Sequence, residues 1–106
     1  MAITCEKVVE NFIAGLQEGE KGSVSSTKTV RIKGNQLIHY STPIIERMEH
    51  SYILNISRYS IATGQLQKRI KNMLPEGYQI AKRVPQDYPG SLTDFLEYRH
   101  SDDKGA

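Results

Sequence analysis

A chain of 106 residues with a net charge of +2 has room for one domain built around one hydrophobic core. Hydrophobic residues make up 38% and charged residues 25%, which is ordinary for a globular protein and excludes a wholly disordered one. Because no apolar run approaches the roughly 20 residues of a membrane span, we expect no membrane partner.

The single cysteine, Cys5, excludes an intrachain disulfide and favours a reducing compartment. The first twenty residues lack the basic start and apolar run of a signal peptide, so we predict a cytoplasmic protein.

The N-terminal segment has helical periodicity. Thr4 fits an N-cap, and the apolar stripe that follows predicts a helix over about residues 4–18. Cys5 lies on this stripe, where a packed thiol is expected rather than a nucleophile. The stripe comprises Cys5, Val8, Val9, Phe12, Ile13 and Leu16.

Four strands are predicted after a Gly- and Ser-rich connector. They cover residues 27–33, 36–41, 44–48 and 52–57. Gly34-Asn35 and a polar turn at 49–51 separate them, which predicts an antiparallel meander.

The period becomes helical after Tyr59. Ser60 or Thr63 can cap a helix whose apolar face carries Leu66 and Ile70, and Pro75 stops it. A fifth strand is predicted over residues 78–84, and a capping-box pattern at 91–94 predicts a short docked helix.

The fold class is therefore α+β: an N-terminal helix, an antiparallel four- to five-stranded sheet, and one main helix after the fourth strand. Residues 1–98 are predicted to form a single domain and residues 99–106 a flexible tail.

Catalytic motifs are absent, including the P-loop, the zinc-protease motif and the nucleophile elbow. His39, His50 and His100 are far apart in sequence, so no metal site and no cofactor is predicted, and we expect a non-enzyme. Glu46 and Glu49 fall on opposite faces of a strand, where solubility and edge protection explain them better than acid–base chemistry.

Basic residues concentrate in the centre of the chain, where residues 23–85 carry ten Lys or Arg against three Glu. This distribution attracts an anionic partner, although lysines on solvent-facing positions produce the same pattern. The candidate partner- or anion-binding cations flank Pro75–Gly77 and are Lys68, Arg69, Lys71, Lys82 and Arg83.

Tyrosines also cluster in this central region. Tyr40, Tyr52 and Tyr59 fall near Arg47 and Arg58, and such a mixture can stack on bases or hold phosphates. Completing a core that is poor in Phe and Trp is the alternative role for the same tyrosines.

The central stretch resembles a family of small uncharacterised proteins of bacteriophages and related mobile elements. The matching residues are Tyr40, Thr42, Pro43, Ile44, Leu54, Asn55, Tyr59, Ser60, Thr63 and Gln67. Ala62 and Leu66 depart from the pattern, which usually has threonine and histidine there. The resemblance implies a phage origin and an accessory role in the host cytoplasm, and it carries no defined activity.

The same motif has a structural interpretation. Ser60 and Thr63 can satisfy free N–H groups at the start of the helix, while Asn55 and Gln67 can build a polar network at the strand–helix junction. Such a junction also binds small anions, so both readings stay open.

Taken together, the sequence favours a small non-catalytic accessory protein that binds and masks a macromolecular partner. A protein partner is expected first, such as a host defence or nucleic-acid-handling protein. Direct binding of nucleic acid or a nucleotide by the basic centre is the alternative.

Overall fold

The computed structural model describes residues 2–97, in which the elements follow the predicted order. Helix α1 spans Cys5–Ile13 and helix α2 spans Ile61–Met73, and a 3-10 helix covers Leu92–Phe95. The strands are β1 Val30–Lys33, β2 Gln36–His39, β3 Thr42–Arg47, β4 Tyr52–Asn55, β5 Gln79–Ala81 and β6 Leu96–Glu97. The predicted α+β class is confirmed, whereas the predicted tail and the boundary at residue 98 lie outside the described residues.

The six strands lie side by side in the order of the chain. Strands β1 to β4 form the predicted antiparallel meander, with pairs such as Ile32 opposite Leu37. The fifth strand departs from the predicted antiparallel sheet, because β5 runs parallel to β4, with Leu54 opposite Ile80. Helix α2 carries the chain back along the sheet, so β5 starts at the same end as β4.

Helix α1 is shorter than predicted because the chain turns at Gly15, whose φ is 104°. The backbone nitrogen of Gly15 donates to Phe12 O at 3.0 Å, and that of Leu16 donates to Asn11 O at 2.8 Å. This pair of bonds is a Schellman ending, in which the residue after the cap adopts the left-handed conformation that glycine tolerates. Leu16 therefore packs from the turn rather than from the helix.

The sheet carries a hydrophobic cluster on each face. Both helices cover one face, where Phe12, Leu54 and Ile70 are fully or almost fully buried, and Leu66 packs with them as predicted. The other face is covered by the 3-10 helix and the loop before it, where Ile53, Ala81, Val84 and Leu92 form the smaller cluster. The chain thus divides its apolar residues between two sides of one sheet instead of one core.

The prediction that Glu46 serves solubility and edge protection is wrong, because its side chain is buried. It points to the second face of the sheet, where the 3-10 helix covers it. In the described part of the chain, neither helix has the length and apolar character that a membrane span requires.

Candidate functional site

The junction between β4 and α2 holds the polar network that the motif residues predicted. The Asn55 amide donates to Pro43 O and to the Tyr59 hydroxyl, each at 2.9 Å, and Asn55 Oδ1 accepts from Ser57 N. The Gln67 amide donates to Asn55 O at 2.7 Å and to Ser57 O at 3.0 Å. These groups satisfy one another inside the domain, which is a structural role for Asn55 and Gln67.

Tyr59 completes this junction instead of facing a partner. Its hydroxyl donates to Val84 O at 2.6 Å while it accepts from Asn55. The ring is half-buried, and its polar end is fully used by these two bonds. Tyr59 therefore joins the end of β4 to the segment after β5, and its predicted role in binding gains no support from the geometry.

Ser60 is the N-cap of helix α2, one of the two caps predicted, whereas Thr63 lies within the helix. The Ser60 hydroxyl accepts from Thr63 N at 3.2 Å, so it satisfies one of the free N–H groups of the first turn. Thr63 is buried, and its hydroxyl lies 3.0 Å from both Ser60 Oγ and His39 Nδ1. The contact between Thr63 and His39 thus links the start of α2 to the end of β2. Burial lowers the pKa of His39 below its ordinary value, so the ring is neutral at pH 7.

Tyr40 follows His39 in the two-residue loop that joins β2 to β3, since His39 pairs with Thr42. Its φ is 59°, a conformation that glycine, asparagine or aspartate usually takes at this position and that strains an aromatic residue. The side chain is 61% exposed, and its ring centroid lies 4.6 Å from that of His39. Strained residues held this way concentrate at functional sites. Of the three tyrosines predicted to contact a partner, Tyr40 is therefore the one that the fold presents to solvent.

Tyr40 stands at the mouth of an open groove of about 410 Å³ between the start of α1, the end of β2 and the start of α2. We call this cavity the Tyr40 groove. Its lining is mainly apolar and includes Cys5, His39, Tyr40, Gln65, Leu66 and Arg69. Concave sites with a few polar groups and a perturbed histidine are the usual place of ligand binding.

The Tyr40 groove carries almost no net charge. Arg69, one of the predicted cations, donates from Nη1 to Glu6 Oε2 at 2.6 Å and so joins α2 to α1. Because both side chains are about half exposed, this ion pair contributes little to stability. Its two charges nevertheless cancel. With His39 neutral as well, the groove suits an uncharged group.

The remaining predicted cations lie on other surfaces. Lys68 and Lys71 are exposed and three residues apart on α2, and Lys82 and Arg83 are exposed in the segment that follows β5. None of the four forms an ion pair within residues 2–97. His39 connects the predicted residues at the helix start to Tyr40, because it contacts both Thr63 and the Tyr40 ring. Of the predicted cations, Arg69 alone lines the Tyr40 groove.

Two other residues singled out near the tyrosines are internal contacts. Arg47 donates from Nη2 to Phe12 O at 2.7 Å and to Leu16 O at 3.1 Å, and its guanidinium lies 4.3 Å from the centre of the Phe12 ring. Tyr52 donates to Ile13 O at 2.8 Å. Both residues therefore satisfy carbonyls at the end of α1.

Sequence reasoning missed the part that Cys5 and His39 play in the groove. Cys5 packs against the core as predicted, but it is half-buried, lies 3.5 Å from Thr29 Oγ1 and lines the cavity. His39 has an inward position on β2, two residues after the buried Leu37, and this alternation was the available signal. Within residues 2–97, no three His, Cys, Asp or Glu side chains form a metal-binding group.

Comparison of the chain with protein-family models, with curated proteins and with solved structures finds no match. The predicted phage-family membership therefore stays a prediction.

Proposed function

We propose that this protein is a non-catalytic binding module that masks a protein partner, and that the partner inserts an uncharged apolar side chain into the Tyr40 groove. The observation that carries the proposal is Tyr40 itself. An exposed aromatic residue in a left-handed conformation, at the mouth of a groove, costs stability without adding to the core.

The properties of the groove support a protein occupant. Its volume of about 410 Å³ accommodates one large side chain, and its lining lacks the net charge that would recognise a phosphate. Ile61, the residue before Ala62 of the lining, is 83% exposed and is a further apolar residue on the surface at the start of α2. Protein interfaces concentrate their binding energy in such aromatic and apolar anchors. An accessory role in a phage, exerted by occupying a host protein, is consistent with this type of surface.

Nucleic-acid binding through Lys68, Lys71, Lys82 and Arg83 is the second candidate function. Its support is that all four are exposed and form no ion pair within the described residues. Phosphate contacts by such residues make binding strongly dependent on salt.

The deciding experiment is affinity capture by the immobilised protein from a lysate of the cells in which the chain naturally acts. The capture is carried out with and without nuclease treatment of the lysate. Wild type is compared with Tyr40→Gly, which removes the ring and accepts the same backbone conformation, and with Lys68→Glu/Lys71→Glu.

Our proposal expects one protein, bound near one-to-one by wild type and by the lysine variant, insensitive to nuclease and lost with Tyr40→Gly. The second candidate expects salt-sensitive retention that nuclease abolishes and that the lysine variant weakens. Equal capture of the same protein by wild type and Tyr40→Gly would contradict the role of the groove.

A further inference from the structure

A second cleft lies on the face of the sheet opposite the Tyr40 groove. It has a volume of about 530 Å³ and separates the outer face of β1 and β2 from the loop at residues 87–89. Strand β1 places it there by alternation, because Val30 and Ile32 are buried under the helices while Arg31 and Lys33 point outwards. This cleft is independent of the Tyr40 groove and of the function proposed for it.

Two cations form one wall of this outer cleft. Arg31 and Lys33 are exposed and two residues apart on one strand face, which separates their Cα atoms by roughly 7 Å. Neither side chain makes an ion pair or a hydrogen bond within residues 2–97. Two unpaired cations at this spacing can hold one phosphate group between them, and arginine can do so with two parallel hydrogen bonds.

Carboxylates of the outer cleft are held by other partners. Glu18, at the same end as the cations, accepts from Gly34 N at 2.8 Å, and it leaves a net charge of +1 at that end. Asp87, on the opposite wall, accepts from the Thr42 hydroxyl at 3.3 Å through Oδ1, while Asp87 N donates to Thr42 Oγ1 at 2.9 Å. Neither carboxylate forms an ion pair with Arg31 or Lys33 within residues 2–97. The cleft therefore presents an anion site on one side and a hydrogen-bond acceptor on the other.

The base and the opposite wall of the outer cleft carry an apolar surface with a fixed aromatic ring. Ile38 is buried at the base, and Tyr88 and Pro89 line the opposite side. The Tyr88 hydroxyl donates to Asp94, and its ring meets Phe95 edge-on at 4.9 Å between centroids. Gly90 lies so close that an added Cβ would come within 3.0 Å of the ring. Tyr88 is thus held in one orientation, which reduces the entropy cost of stacking a planar group on it.

We infer that the outer cleft binds a nucleoside phosphate, with the phosphate on Arg31 and Lys33, the base against Tyr88 and a base or sugar donor on Asp87. The ligand class follows from the combination of groups, since two cations on one wall and an aromatic ring beside a carboxylate acceptor on the other match the phosphate, ring and polar edge of a nucleotide. A free mononucleotide and one unit of a single-stranded nucleic acid share this chemistry.

The test is a calorimetric titration of the full chain with four probes: adenosine 5′-monophosphate, adenosine, inorganic phosphate and a twelve-residue oligothymidylate. Wild type is compared with Arg31→Gln/Lys33→Gln. The matched control is Lys68→Gln/Lys71→Gln, which removes the same charge from exposed positions of α2. A circular-dichroism melt of each variant verifies its fold, and Asp87→Asn, which keeps the acceptor for Thr42, tests the opposite wall.

We expect the monophosphate to bind wild type and the control with equal affinity. Its affinity for the Arg31→Gln/Lys33→Gln variant should be at least about ten-fold lower, because the loss of a single hydrogen bond to a charged group already lowers affinity by about ten-fold or more. Adenosine and inorganic phosphate alone should bind wild type more weakly than the monophosphate. Asp87→Asn should weaken the monophosphate and leave inorganic phosphate unchanged.

Binding of the oligothymidylate alone, weakened by Arg31→Gln/Lys33→Gln, would identify a nucleic-acid strand as the source of the nucleotide. No binding of any phosphate probe at millimolar concentration would overturn the inference. So would equal binding by wild type and Arg31→Gln/Lys33→Gln. Because Tyr40 does not line this cleft, Tyr40→Gly should bind the monophosphate like wild type even where it loses a protein partner.

Discussion

Glu46 accepts a hydrogen bond of 2.7 Å from the backbone nitrogen of Leu92, a residue 46 positions further along the chain. The same carboxylate accepts from the Gln36 amide at 2.9 Å and from the Ser91 hydroxyl at 2.6 Å. A single buried side chain of β3 thus satisfies the start of the 3-10 helix and attaches it to the second face of the sheet. This attachment also shapes the outer cleft, because Gln36 and the loop before Ser91 form part of its lining.

Replacing Glu46 with alanine should destabilise the fold by roughly 2–4 kcal/mol, because three buried or half-buried donors lose their acceptor. The matched control is Glu49→Ala, since that side chain is 88% exposed and its loss should change stability by less than about 0.5 kcal/mol. Urea melts of both variants measure the difference. Equal midpoints for the two variants would show that the carboxylate does not hold the 3-10 helix.

A second pair of variants tests the orientation of α2. Ile70 is fully buried against the sheet, so Ile70→Ala should cost roughly 2–4 kcal/mol of unfolding free energy. Ile61 lies on the same helix but is 83% exposed, so Ile61→Ala should change stability by less than about 0.5 kcal/mol. Chemical denaturation gives both values, and comparable losses at the two positions would place α2 in a different rotation about its axis.

The sequence pattern predicted element type well where the hydrophobic period was long. The stripes of both helices and the alternation in β1 set the faces that the fold buries. Boundaries were less predictable because single backbone conformations decide them. Gly15 ends α1 early, and Lys28 and Arg83 have φ values of 63° and 60° beside strands that are shorter than predicted. Lysine and arginine rarely adopt a left-handed conformation, so the residue types at 28 and 83 gave no indication of these two strand ends.

The candidate site was predictable only in part, for a related reason. Ser60, Thr63 and Asn55 each bond to a residue two or three positions away, so their spacing already indicates these partners, whereas Gln67 bonds to Ser57, ten positions before it. The Tyr40 groove combines residues from α1, β2 and α2, and the outer cleft combines β1 with a loop more than fifty residues later. Such combinations depend on the parallel β4–β5 pairing and on strand register, which local periodicity does not specify.

Tyr40→Gly should keep or raise the stability of the isolated protein. Glycine adopts the left-handed conformation freely, whereas an L-residue there costs roughly 1–2 kcal/mol. Two effects offset this gain in part. The variant loses the contact of the Tyr40 ring with His39, and a glycine raises the entropy of the unfolded chain, which favours unfolding. Thermal melts of wild type and Tyr40→Gly measure the balance. A melting temperature well below that of wild type would show that the ring is structural and would remove the argument that Tyr40 is retained for binding.

Stability should also decrease in mild acid through His39. Burial lowers its pKa in the folded state, so the unfolded state, with the ordinary value of 6.5, binds the proton more readily. His39 therefore imposes no loss above pH 6.5. As the pH falls below 6.5, the unfolded state gains a proton that the folded state lacks, and unfolding becomes easier until the lowered pKa is passed. The measurement is a series of urea melts between pH 7.5 and pH 5 for wild type and His39→Gln. The difference between the two proteins separates the contribution of His39 from that of the other titrating groups. We expect the wild-type curve to fall more steeply than that of the variant below pH 6.5. Parallel curves over this range would mean that His39 takes up its proton equally well in both states.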